Sequence, residues 1–127
     1  MAEFAVTATC AFVLIFGISG AGYAVYSYNT LAAATQEAAH YAATNGPNSP
    51  NPATVAQIQQ LVQSFAPGLN ANNLQVNQSQ ALYISDPNLT GYQDAKVTAT
   101  YSFSFWVPVL GKVTLPMTST AQMLVSQ

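Results

Sequence analysis

The sequence predicts an α+β fold: a long N-terminal helix with an apolar first half, a short second helix, and an antiparallel sheet of three to four strands. Three observations carry this. Residues 4–25 contain no charged side chain and few polar groups. Apolar and small residues continue beyond them at steps of three or four, the helical period. From residue 96 onward the pattern most clearly changes to alternation, the period of a strand with one buried face.

The first helix is expected over residues 2–43. The apolar stretch of 22 residues is about 33 Å long at 1.5 Å per residue, close to the hydrocarbon thickness of a bilayer. The helical pattern persists through Tyr23, Tyr26, Thr30, Ala34, Ala38 and Tyr41, and alanine-rich sequence favours helix. Asn45-Gly46-Pro47 supplies the stop. A rod of roughly 60 Å exceeds any membrane, so its second half is expected to pack on protein. No Lys or Arg precedes the apolar run, so a basic leader already removed, or orientation set by something outside this sequence, is expected. A cleaved secretory signal does not fit the length and flanks.

Residues 45–52, with three prolines among Asn, Gly and Ser, read as a loop. A second helix follows, with Pro52 in its first turn, an apolar stripe of Val55, Ile58, Leu61, Val62 and Phe65, and Pro67-Gly68 at its end. Leu74, Val76, Leu82 and Ile84 suggest an early strand or short hairpin. Val97, Ala99, Tyr101, Phe103 and Phe105 alternate with Lys96, Thr98, Thr100, Ser102 and Ser104, and Val113, Leu115, Met117, Ala121, Met123 and Val125 repeat the alternation. Turns fall at 86–91 and 108–111. The sheet is thus a meander, its apolar face covered by the second helix and the exit half of the first. One domain is expected: the helix over residues 2–43 and an extracytoplasmic α+β part over 44–127.

Charge and composition exclude several functions. The charged side chains are Glu3, Glu37, Asp86, Asp94, Lys96 and Lys112, 5% of the chain, against about 25% in ordinary soluble domains. Two lysines and no arginine cannot neutralise a nucleic-acid backbone or grip anionic lipid as a polybasic patch. His40 is the sole histidine, on the same predicted helix as Glu37, and no nucleophile motif surrounds the pair; it reads as solvent-facing or intersubunit. No catalytic, cofactor-binding or metal-binding set is assigned, Asp86 reading as the start of a turn. Cys10, the only cysteine, reads as a buried inert thiol. Asn77-Gln78-Ser79 and Asn88-Leu89-Thr90 match the N-glycosylation pattern, which indicates exposure more than modification.

Glu3-Phe4-Ala5 opening an apolar helix, the aromatic exit Tyr23, Tyr26 and Tyr28, the alanine-rich segment over 31–43, and the strand pair 101–108 and 115–123 together resemble TadE-like proteins of tight-adherence pili, within the type IV pilin group. The N-terminal part carries the more specific resemblance. The resemblance implies a pilin-like fold and a structural, non-enzymatic subunit made as a precursor in the inner membrane. A prepilin peptidase cuts it, the pilus assembly machinery extracts it, and its apolar helix polymerises into an extracellular filament on the cell surface that serves adhesion. The implied partners are further copies of the chain and other pilins. The alternative is a minor pilin or assembly factor that stays anchored by the helix.

Glu3 then takes the role of the near-N-terminal glutamate, pairing with the terminal amine of Met1 in a neighbouring subunit. Read without the resemblance, Glu3 complements the positive end of the helix dipole. Phe4, Val6, Phe12, Leu14 and Phe16 are the expected helix-packing core. Gly17, Gly20 and Gly22 are the expected points of close packing or bending, since small residues let helices approach and glycine weakens a helix.

Overall fold

The computed structural model describes residues 2–78, 80–107 and 111–125. Helix α1 (Ala2–Thr44) is followed by helix α2 (Val55–Phe65) and strands β1 (Leu74–Val76), β2 (Tyr83–Ser85), β3 (Gln93–Val107) and β4 (Gly111–Leu124). The fold is the predicted α+β arrangement, with a four-stranded antiparallel sheet.

Helix α1 runs unbroken past Gly17, Gly20 and Gly22, and at 43 residues it is about 64 Å long. Its buried stripe is Ser27, Leu31, Ala34, Thr35, Ala38, Ala39, Ala42 and Ala43. Of the tyrosines that mark the helical period, Tyr23 places its ring 5.5 Å from that of Phe103 and Tyr41 packs against the core, while Tyr26, like Tyr28, is largely exposed. The buried stripe consists mainly of small residues, which let the backbone of α1 lie close to the sheet. Large aromatic residues at the same spacing would hold it away.

Helix α2 starts one turn later than Pro52 suggests. Thr54 is the N-cap and forms a capping box: its hydroxyl accepts from the Gln57 N–H, and Gln57 Oε1 accepts from the Thr54 N–H. Two otherwise orphaned donors are satisfied reciprocally, so the stop and start signals of the loop are separated by the cap itself. Ile58 and Val62 are fully buried against α1 and β1.

β3 organises the sheet. β4 pairs with it from Asp94↔Leu124 to Val107↔Gly111, occupying one whole edge. The other edge takes β1 at Ala99–Tyr101 and β2 at Gln93–Ala95. β1 and β2 therefore lie end to end and are one interrupted edge strand, not a hairpin. Asn77, at φ 47°, spans the interruption. Its N–H donates to Thr98 O, its side-chain N–H to Lys96 O at 2.8 Å, and its Oδ1 accepts from the Thr98 N–H. A side-chain amide here completes the ladder that the missing strand residues leave open.

Val97, Ala99, Tyr101 and Phe103 on β3 are buried, as the alternation predicts, Phe105 is partly buried, and Ala95 and Val107 are buried with them. Leu115 and Met123 on β4 remain partly exposed at 41% and 36%. Asp86 Oδ1 accepts from the Asn88 N–H and begins the predicted turn. The turn expected at 108–111 falls on Pro108, Val109 and Leu110, outside the described residues, up to Gly111.

Candidate functional site: the bare half of the first helix

The core ends where the apolar stretch begins. The most apolar 18-residue window of α1 has a mean hydropathy of 2.0 and is 0% buried. Phe4, Val6, Phe12, Leu14 and Ile18 are between 58% and 79% exposed, and Phe16 is 48% exposed. These side chains lie all round the helix, not on one face. A helix apolar on every side belongs inside lipid or inside a bundle of other helices. This is the one helix among the described residues long and apolar enough to cross a membrane.

The residues singled out from sequence separate into groups. Phe4, Val6, Phe12, Leu14 and Phe16 all lie in the bare half, where Phe12 and Phe16 stack on each other at 6.5 Å. Cys10 is exposed with them in the isolated chain, which corrects its reading as a buried thiol: nothing within the chain covers that part of the helix. Glu3 stands exposed in the first turn, and its carbonyl accepts from the Thr7 hydroxyl at 2.9 Å. Its expected partner Met1 lies outside the described residues.

The glycines are not equivalent. A methyl group built on Gly20 would lie 2.7 Å from two ring carbons of Phe105, whereas one on Gly17 or Gly22 would meet nothing within 4 Å. At Gly20 the sheet lies directly on the helix, and a residue without Cβ leaves room for the ring. Sequence pattern showed small residues there but not which of them faced the sheet, because Phe105 is distant in the chain.

Further candidates are accounted for locally. Glu37 and His40 are both exposed. Asp94 accepts from Gln122 Nε2 at 2.6 Å. Asn77 is 8% exposed and commits its side-chain nitrogen to Lys96 O, so the folded chain does not offer it as a glycosylation acceptor. Ser79, the third residue of that pattern, lies outside the described residues. Among the described residues, no group of three His, Cys, Asp or Glu side chains is arranged to hold a metal ion.

The chain is thus a small α+β head on a long helix whose apolar N-terminal half is bare. Residues 1–40 are similar to the TadE-like protein family, whose model they match, the stretch in which the sequence resemblance is also most specific. No curated protein and no solved structure matches the chain.

Proposed function

We propose that this chain is a structural subunit that polymerises through the bare half of α1 into an extracellular filament of the tight-adherence type. The observation that carries the reading is an apolar helical segment with none of its central window buried, continuous with a second half that is packed against the chain's own sheet and α2. Such a segment requires an apolar environment that the chain itself does not supply. Lipid provides it before assembly, and the same segments of neighbouring copies provide it afterwards. On this reading residues 2–43 form the pilin helix and residues 44–127 the extracytoplasmic head.

Glu3 is the polar contact of the assembly, a carboxylate at the helix start that pairs with the amine of Met1 on a neighbour. In lipid, a carboxylate at the membrane centre costs about 2.5–3.5 kcal/mol on insertion scales, and a paired terminal amine offsets such a cost. Phe4, Val6, Phe12, Leu14 and Phe16 pack between copies, with Gly17 and Gly22 as points of close approach. A prepilin peptidase, the assembly machinery and other pilins act on or with the chain, as for the proteins it resembles.

A photo-cross-linking residue placed at Phe12 tests this. A ladder of chain-to-chain products in sheared surface material is expected. Cross-links confined to lipid or to one unlike protein in the membrane fraction would instead favour a minor pilin or assembly factor anchored by α1.

A further inference from the structure

We infer that, before assembly, the paired Trp106 and Lys112 of β3 and β4 sit in the outer boundary of the membrane beside α1, with Trp106 as the anchor. This rests on the reading that residues 4–25 cross a bilayer. Two contacts fix the hairpin against the helix. At one end of β3, Ala95 pairs with Tyr83, whose hydroxyl reaches Asn45 O at 2.7 Å and Ala42 O at 3.2 Å. At the other end, the ring of Phe105 lies on Gly20. From Ala42 to Gly20 the helix covers about 33 Å. From Ala95 to Phe105 the strand covers about 33 Å. The equal lengths mean that β3 runs alongside α1, in the opposite direction, toward the N-terminus of the helix.

Depth then follows. Each further strand residue descends about 3.3 Å, the rise of about two helical residues. Trp106 lies level with about Ile18, and the Val107–Gly111 pair with about Phe16. Below that level the apolar helix offers residues 4–17, about 21 Å, while the hydrocarbon core is about 30 Å thick. Residues 4–25 can span the bilayer only if the level of Trp106 and Lys112 lies within its outer part.

The side chains at that end suit the position. Trp106 is 68% exposed and is paired with Lys112 in register, on the sheet face turned away from the core. Indole side chains settle at the boundary between lipid and water, and a lysine stem can lie in the apolar layer while its ammonium reaches the headgroups. Phe105, Val107 and Val113 lie on the opposite, helix-facing side, Val107 buried and the other two partly buried. Higher on the same outer face the pairs are Thr98–Thr120 and Thr100–Thr118, joined hydroxyl to hydroxyl. Below these hydroxyl pairs and Ser104–Thr114, the same face presents the exposed indole of Trp106 beside Lys112.

Trp106 is the only tryptophan, so its fluorescence reports this site alone. The full chain is reconstituted into vesicles of phosphatidylcholine and phosphatidylglycerol and checked by flotation. The expected result is blue-shifted emission, quenched more by lipids brominated near the headgroup than by lipids brominated at the chain end, and weakly by aqueous iodide. A chain that floats with the vesicles but shows water-like emission quenched by iodide overturns the inference and leaves the membrane span standing. Blue-shifted emission that no brominated lipid quenches also overturns it, in favour of a second copy covering the indole. Failure to float overturns the inference and the membrane span together.

Discussion

Asn77 occupies the break in the edge strand with a left-handed backbone and a side chain that bonds to both Lys96 and Thr98. Its two roles are separable by substitution. Asn77→Gly keeps the backbone conformation accessible and loses only the side-chain bonds, whereas Asn77→Ala also meets the steric cost of positive φ. Leaving a buried donor or acceptor unpaired costs about 1–3 kcal/mol. Thermal unfolding in detergent is therefore expected to rank wild type above Asn77→Gly, and Asn77→Gly above Asn77→Ala. Equal stability of all three would remove the ladder role. Glu3 is tested at the same scale: Glu3→Ala is expected to reach the membrane in normal amount and to be absent from sheared surface material. Normal assembly of that variant would eliminate the pairing with Met1.

Tyr83 adds a pH dependence. Burial, reinforced by nearby Tyr41 and opposed by the Ala53 backbone, raises its pKa above the ordinary 10.0. The neutral phenol is favoured in the fold, where it donates to the loop that follows α1. Its contribution is complete below pH about 10, the unfolded value, and is lost as pH rises through the higher folded value. Tyr83→Phe is expected to lower stability at neutral pH and to flatten the alkaline loss seen in wild type. An unchanged alkaline limb in the variant would assign that loss to other groups.

Among the elements, the contact between α1 and the hairpin depends on Gly20. Gly17→Ala and Gly22→Ala place a methyl in open space and are expected to stabilise the isolated chain by about 0.5–1 kcal/mol, the ordinary gain from replacing a helical glycine. Gly20→Ala drives a methyl into the Phe105 ring and loses that gain through overpacking, typically about 1–3 kcal/mol. Comparing unfolding midpoints of the three variants in detergent checks the ranking; a Gly20→Ala midpoint equal to that of Gly17→Ala would mean the ring is free to leave. If Gly17 and Gly22 are approach points between copies, their alanine variants fold normally but assemble less.

The legibility of the elements followed the range of their causes. The long helix, the second helix and the alternation of β3 were readable because periodicity and stop signals are local. The buried face of that helix was not readable from period alone, because the face that turns inward is chosen by its partner, here Ser27, Leu31, Thr35 and the alanines. The interrupted edge strand was read as a strand or hairpin because Asn77 closes the gap through bonds to residues about twenty positions away, which no local pattern encodes.

For the molecule as a whole, the central feature is an imbalance. The head has a closed core of its own, with the buried half of α1 as one wall. The other half of α1 leaves large apolar side chains uncovered. The site was legible as a segment, since a run of uncharged residues needs no tertiary information to be seen. It was not legible as a surface, because depth against the hairpin is set by the Phe105–Gly20 contact. An uncovered apolar rod joined to a polar head needs an apolar environment for one half only, and the proposed bundling of many copies rod to rod would supply it.

Electron microscopy of sheared surface material, with mass spectrometry to identify its subunits, tests that account most directly. Filaments whose principal component is this chain, with residues 4–25 inside and residues after 45 outside, are the predicted result. Recovery of the chain solely as single copies in membranes, with surface filaments lacking it, would contradict it.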